Sequence, residues 1–467
     1  MGYDAVMWRD TFEMGLSPTT TDADRSSRRY DLAIALRIVR AMETSAGRGA
    51  VFAEIKDKNP LYRFVDMIYS RAGTRTMQPL LLFAYMLKSI LSVGPSKGGD
   101  ATAVSISNFA NEHHAIDRVA ALMPNASLAR LTLRRRHILS VGQLRAAGRM
   151  LVSAPRIWPF LSRLARSHSF MPSARIASAL AFYIRFMQYF ADHPGVSAGI
   201  VPSNYSPEAV GLAAAAHRAG RRVIYVNHAP VPANGPLVPP VLADCAIFYG
   251  EAIRQTYERR SRCLAEVALI GQPWTARPME WRDQVRTVGI FLTALTRTQA
   301  VAELVAAITA SWPDVRILIR NHPVALLQSD FSDLTARYKN LAVTIGNPLD
   351  DEIGLCDVII CGNSGVAMNA VSGGRPVAYM NTLDGSAFDH NGFVASGLVC
   401  HVKSWTAGTY RTLRDFYGNP EWQAVMKSYD ASYGGDAEAL RRSATEVIAR
   451  HVRPDAGPAP SVARSGA

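Results

Sequence analysis

Acidic side chains are missing from one long stretch of this chain: none occurs between Asp117 and Asp192. Cysteine is also scarce. Cys245, Cys263, Cys356, Cys361 and Cys400 are the only five in 467 residues, with neither C-x-x-C spacing nor clustering with histidine. That pattern excludes a disulfide framework and a thiolate metal site, and fits free thiols in a reducing compartment. Long hydrophobic runs are absent too. The most membrane-like run, residues 79–93, contains Lys88 and falls short of the ~20 apolar residues that span a bilayer. Residues 1–10 show neither the basic n-region nor the continuous apolar core of a secretory signal. The expected location is cytoplasmic, with a peripheral position on the inner face of a membrane as the variant.

What is present is arginine. Twelve arginines lie from Arg118 to Arg185, so this acid-free stretch contributes +12 of the formal net charge of +13, and the remainder is nearly neutral. A concentrated field of one sign points to a polyanionic partner or an anionic membrane surface; the plain alternative is a solvated helical face. Trp158, Phe160, Phe182 and Tyr183 interleave with the arginines, which favours an interfacial role. Nucleic acid has the matching sign as a partner, but no recognised DNA- or RNA-binding module is present, and none is expected to bind. Hydrophobic residues make up 48% and charged residues 19%, a globular composition. The length implies two or three domains.

The pattern of apolar runs divides the chain. Residues 1–100 read as helices with polar joints. Residues 101–283 alternate strand-like and helical segments, interrupted by an Arg-rich helical insertion at 134–191 with breaks at Pro155, Pro159 and Pro172. Gly220 fits a helix C-cap. After a polar linker with Pro278, residues 284–403 repeat the alternation, 404–452 are helical, and 453–467 form a disordered tail rich in Pro, Gly, Ala and Ser. This predicts an α/β protein with two parallel-sheet, Rossmann-like domains.

Two turns in the second series carry the chemistry. Arg320-Asn321-His322-Pro323 follows the run 315–319, and Gly362-Asn363-Ser364-Gly365 follows 357–361. Loops at the carboxyl ends of strands form the ligand crevice of open α/β sheets. A helix opening at Asn363-Ser364-Gly365 offers backbone N–H groups to a phosphate, and Ser364 adds a hydroxyl. His322 adds a ring N–H. The loop opened by Thr293 lies at the same sheet end. Taken singly, an Asn-Ser-Gly turn is an ordinary N-cap and a His-Pro an ordinary surface turn.

Together these residues resemble the GT-B glycosyltransferase superfamily, especially the bacterial polysialyltransferase and capsule Kdo-transferase families, with the CDP-glycerol glycerophosphotransferases as relatives. The resemblance rests on Arg320-Asn-His-Pro323 and Asn363-Ser-Gly365. It continues through Ser203-Asn-Tyr-Ser206, Ile224-Tyr-Val-Asn-His228 and Gly271-Gln-Pro273, and covers about residues 195–405. It implies two Rossmann-like domains facing a cleft, with a helical N-terminal extension. It further implies a nucleotide-sugar donor held by Arg320, His322, Pro323, Asn363, Ser364 and Gly365, and Thr293 joins them as an expected ligand by its position at the same sheet end. A cytidine nucleotide, of the CMP-sialic acid or CMP-Kdo type, would be bound by His322 and Ser364. The acceptor would be a glycan or lipid-linked glycan of the bacterial surface.

No Asp-x-Asp follows a strand; Asp22-Ala-Asp24 is in a polar segment, and Asp350-Asp351-Glu352 reads as a helix cap. A metal-independent, inverting transfer is expected, without cofactor, His322 and Ser364 stabilising the departing phosphate. The acidic Asp/Glu-Gly element of the sialyltransferase group is absent, so the base must come from elsewhere in the first domain. Glu112, His113 and His114 follow the first sheet strand at the matching end and His228 ends another; Glu112 and His228 are the candidates, while Asp244 reads as structural. A CDP-polyol phosphotransferase shares every one of these features except the group moved. A sugar-nucleotide epimerase would want several acids around the sugar.

Overall fold

The computed structural model describes residues 29–73, 76–94, 101–123, 126–133, 139–273, 276–323 and 327–452. The expected tail at 453–467, Asp22 and Asp24, and Arg134, Arg135 and Arg136 lie outside them.

Among the described residues four helices come first: α1 (Leu32–Glu43), α2 (Ala46–Lys58), α3 (Pro60–Arg71) and α4 (Met77–Ser92). The first sheet then begins with β1 (Ala103–Ser107), α5 (Ala110–Ala121) and β2 (Leu128–Thr132), followed by α6 (Val141–Val152), α7 (Ala154–Ser167) and α8 (Phe170–Asp192). It is completed by β3 (Ala198–Val201), α9 (Pro207–Arg218), β4 (Arg222–Val226), β5 (Cys245–Phe248), α10 (Glu251–Arg260) and β6 (Glu266–Leu269). All its pairings are parallel, in the order β2-β1-β3-β4-β5-β6.

The second unit runs β7 (Thr287–Phe291), α11 (Thr298–Ser311), β8 (Arg316–Arg320), α12 (Ser332–Arg337), β9 (Leu341–Thr344), α13 (Leu349–Leu355), β10 (Val358–Cys361), α14 (Val366–Ser372), β11 (Val377–Tyr379) and β12 (Cys400–His401). It too is parallel throughout, ordered β12-β11-β10-β7-β8-β9. Strands covered on both faces need apolar residues at every position rather than alternate ones, and β3, β5 and β10 are buried along their whole length. Strand order reverses between β1 and β3 in one sheet and between β7 and β10 in the other. Those reversals open the crevices where ligands of such sheets bind.

The described residues end with α15 (Thr409–Tyr417), α16 (Pro420–Tyr429) and α17 (Ala437–Val452). The last of these returns to the first sheet. Its Ala444, Val447, Ile448 and Val452 pack with Ala115 and Val119 of α5 over Ala198, Ile224 and Ile247. The Ser197 hydroxyl donates to the Val452 carbonyl at 2.7 Å.

The opposite face of that sheet carries α1, α4, α8 and α9 in one continuous core. The described part of the expected insertion, residues 139–191, is therefore no appendage, because α8 is the central helix of this layer. Gly211 permits it to lie close to α9: a Cβ there would sit 2.8 Å from Phe182 Cβ and 3.1 Å from the Ala179 carbonyl oxygen. Phe160, Phe182 and Tyr183 are buried in the core, which corrects their interfacial reading. Pro159 does not break α7. The helix runs through it, the ring lying on the exposed side, and the acceptor it leaves free is the carbonyl of Pro155 in the solvent-facing first turn. The N-terminal segment is tied down as well, since the Tyr30 backbone N–H donates to His217 Nδ1 at 2.9 Å. Gly220 takes φ +71° just after α9, the left-handed conformation expected of a C-cap.

Part of the arginine field is consumed by the fold. Arg118 donates to the carbonyls of Ile270 and Gly271, each at 3.0 Å. Arg130 pairs with Asp117, Arg175 bonds the buried Glu43 at 2.6 Å, and Arg185 is buried. Composition overstated the free charge.

Candidate functional site

A cavity of about 560 Å³ lies between the two sheet units. Its first-unit wall includes Asn111 and His114 of α5 and the segment after β4, Asn227 to Pro230; its second-unit wall includes Asp350, Ser364 and Gly365. A smaller cavity of about 220 Å³ shares Asn227, His228 and Asn391 with it and continues toward Tyr205, Tyr225 and Tyr257. Both open at carboxyl ends of strands.

Strand β10 delivers the second-unit turn. Gly362 is required because an added Cβ would overlap the Asp384 carboxylate, which accepts the Asn363 backbone N–H at 2.7 Å. Ser364 Oγ accepts the Val366 N–H at 3.3 Å, so the hydroxyl hydrogen remains to be donated. A Cβ at Gly365 would lie 3.1 Å from a ring carbon of Pro230. The absence of a side chain there is what lets the two units approach.

Strand β4 delivers His228. Its Nδ1 bonds the Pro202 carbonyl; a carbonyl only accepts, so Nδ1 carries the proton and Nε2 holds the lone pair in the neutral ring. Burial pushes the imidazole pKa below its ordinary value, against the opposing pull of the Pro202 bond. A neutral imidazole with a free Nε2, in the wall of the cleft, can take a proton from a hydroxyl.

Glu112 sits otherwise. It is buried, and its Oε2 accepts the backbone N–H groups of Asn108 at 2.7 Å and Phe109 at 3.2 Å, closing the first turn of α5. Burial raises its pKa although both backbone bonds pull down. The helical period explains the placement. Residues 111 and 114 share one face of α5 and line the cleft, while 112 is turned into the core. The turn singled out in the sequence reaches the cleft, but Glu112 faces away from it.

The remaining expected ligands divide in the same way. Arg320 is paired with the buried Glu352. Thr293 Oγ1 accepts the Leu295 N–H at 3.4 Å. Asn363 donates to Asp384 and the Ala387 carbonyl, and its Oδ1 accepts from the Tyr379 hydroxyl and the His390 N–H. These three side chains hold loops and do not line the cavity. His322 and Pro323 follow β8 but are not in the cavity wall; the His322 N–H donates to Asn321 Oδ1 at 3.0 Å. Since β7 separates β8 from β10, the His322 and Ser364 turns stand two strand spacings apart, roughly 10 Å. One nucleotide can bridge that span.

The units are clasped beside the cleft. Asn234 N–H donates to the His390 carbonyl at 3.1 Å, and its amide donates to the Asp389 carbonyl at 2.8 Å. Lys58 Nζ reaches the Gln328 carbonyl at 3.1 Å. Asp389 adopts φ 49°, held by its carboxylate accepting from Val394 and Ala395 N–H at 2.9 and 2.8 Å. Among the described residues no group of three or more His, Cys, Asp and Glu is placed to hold a metal ion.

Two doubly wound parallel sheets facing a cleft, with the last helix returning to the first unit, define a two-domain α/β protein of GT-B architecture. No family model and no curated protein matches the chain. Solved structures similar to it include a UDP-GlcNAc 2-epimerase from Neisseria meningitidis bound to UDP-GlcNAc, at 11% identity over 74% of this chain and 99% of that one, TM-score 0.45. The glycotransferase of kitacinnamycin is 13% identical over 75% of this chain and 98% of that one, TM-score 0.43. The glycosyltransferase SnogD from Streptomyces nogalater is 14% identical over 74% and 98%, TM-score 0.38. At such identities and TM-scores the likeness assigns neither activity nor ligand. The functional reading rests on the cleft.

Proposed function

We propose that the chain is an inverting, metal-independent glycosyltransferase using a nucleotide-activated sugar. In this reading the donor is a CMP-sugar of the sialic acid or Kdo type, and the acceptor is a glycan or lipid-linked glycan of a bacterial surface polysaccharide or glycolipid. The observation that carries the reading is the cavity between the units, with Ser364 and Gly365 in one wall and His228 in the other. The cytidine preference comes from the resemblance of Arg320-Asn-His-Pro323 and Asn363-Ser-Gly365 to the nucleotide motifs of the polysialyltransferase and Kdo-transferase families.

In the reaction the acceptor hydroxyl gives its proton to His228 Nε2 as its oxygen attacks the anomeric carbon. The bond from that carbon to the phosphate oxygen breaks, and its electron pair leaves on the phosphate. Ser364 Oγ–H stabilises that charge, and His322, outside the cavity wall, would meet another part of the nucleotide. Attack opposite the leaving group inverts the centre. Asp350 is the carboxylate among the larger cavity's lining residues, fewer acids than sugar epimerisation calls for.

The test is nucleotide release and product formation from CMP-, CDP- and UDP-activated donors with EDTA present. A CMP-sugar should be consumed only with acceptor, and Ser364→Ala and His228→Ala should each abolish transfer while the fold persists. Consumption of a CDP-polyol would reassign the chain as a polyol-phosphate transferase, acceptor-free interconversion of UDP-sugars as an epimerase, and loss of turnover with EDTA would refute metal independence.

A further inference from the structure

Helix α6 is built inside out. Its inward positions are Gln143, Ala146, Ala147 and Met150, a thin apolar set for a helix packed on a core. Its large aliphatic side chains point to solvent instead: Val141 is 62% exposed, Leu144 54%, Leu151 56% and Val152 84%, with Leu139 at 45% just before it. Spacings of three, four and seven put these residues on one stripe with the exposed Arg145 and Arg149. Arg156, also exposed, continues the rim in α7. The helix is held rigidly. Ser140 and Gln143 form a capping box, and the fully buried Gln143 donates to the carbonyls of Leu91 and Val93 of the α4 end, each at 2.8 Å. Nothing in the fold calls for the outward aliphatics.

We propose that this face of α6 docks the protein on an anionic lipid bilayer, lying in the interface plane. Aliphatic side chains enter the acyl boundary while Arg145, Arg149 and Arg156 meet lipid phosphates. Charge selects this occupant over a second copy of the chain. A two-fold self-contact would set the same arginines against each other. The acid-free stretch offers no carboxylate to neutralise them, and Asp192 at its end is already bound by Arg145 at 3.2 Å and Gln188 at 2.7 Å. Among the described residues no helix is long and apolar enough to cross a membrane, so the association is peripheral. It narrows the membrane reading of the arginine field to one helix, and it stands apart from the transfer chemistry, because α6 contributes nothing to the cleft.

The experiment is co-sedimentation of the full chain with phosphatidylcholine vesicles, with and without about 30 mol % phosphatidylglycerol. The wild-type protein should bind only the anionic vesicles, less so as salt rises. Leu144→Glu/Val152→Glu should weaken binding by at least about tenfold. Arg145→Gln/Arg149→Gln, which keeps the aliphatics, should weaken it by a similar factor. Circular dichroism and turnover of a water-soluble acceptor should be unchanged in both, which separates this result from failure of the glycosyltransferase reading. Equal binding by wild type and both variants would overturn the proposal. So would a concentration-dependent dimer that Leu144→Glu/Val152→Glu dissolves, since that outcome gives the face to a second copy.

Discussion

His228 carries two separable jobs, and substitutions can split them. Its Nδ1–H bonds the Pro202 carbonyl, and its Nε2 is the proposed base. Alanine removes both. Loss of a general base typically costs 10²–10⁴ in rate, so kcat should fall by about a thousandfold, equivalent to ~4 kcal/mol of barrier. Leaving the Pro202 carbonyl without its partner should also cost about 1–3 kcal/mol of stability. In His228→Asn the amide N–H stands where Nδ1–H was, so stability should return while kcat stays low. The pH profile adds an independent reading. The neutral ring is the active form, and burial lowers its pKa; activity should therefore fall as pH drops through a value below the ordinary imidazole pKa of about 6.5. Steady-state kinetics across pH, with urea unfolding of the same proteins, tests all three statements. Turnover of His228→Asn within about threefold of wild type, with an unshifted acid limb, would refute the assignment.

Three further outcomes follow from the packing. Arg175→Ala strands Glu43, whose side chain is fully buried, and should cost roughly 3 kcal/mol in urea unfolding. Glu43→Gln/Arg175→Met should recover most of it. Gly211→Ala must push α8 away from α9, since the new Cβ falls 2.8 Å from Phe182 Cβ; a loss of about 1–3 kcal/mol is expected, read as a lower Tm. Asp244 accepts from His217, Val223 N–H and Arg222 at 3.0, 2.8 and 3.1 Å. Burial alone would raise its pKa, yet these partners hold it well below the usual carboxylate range. Its stabilisation is thus present above the unfolded carboxyl pKa of about 3.9 and lost as pH falls toward the depressed folded value. Asp244→Asn should therefore be less stable than wild type near neutrality, and the gap should close in acid unfolding titrations.

Much of the architecture was legible because each strand of a covered parallel sheet must be apolar at successive positions. The runs at 199–201, 245–248 and 358–361 announce themselves locally, and so do their closing turns, such as Gly220 with its left-handed φ. The two-residue strand β12 was not, since two residues carry no period. In the site, Ser364, Gly365 and His228 were picked by position after a strand, and all three line one cavity, His228 facing the other two across it. Arg320 and Asn363 have the donors a phosphate needs, yet intramolecular partners had already taken them, and Thr293 lies outside the cavity lining. Asn111 was overlooked and His114 was set behind Glu112, which carries the more obvious chemistry; only the rotation of α5 decides which of the three meets the cleft.

Sequence by itself determined that the chain builds two sheet units, where their ligand-bearing turns fall, and that one segment is free of acid. These are local properties, set by hydrophobic period and turn chemistry. Tertiary structure decided what those features are used for. It turned the arginine-rich segment into the central helix of a core, because Gly211 lets α8 lie against α9 and Glu43 pairs with Arg175. It sent α17 back across the first sheet. It also set Gly365 against Pro230, closing two distant units around a single cleft. Contacts between residues more than a hundred positions apart depend on the packing of whole layers, and no local pattern encodes them.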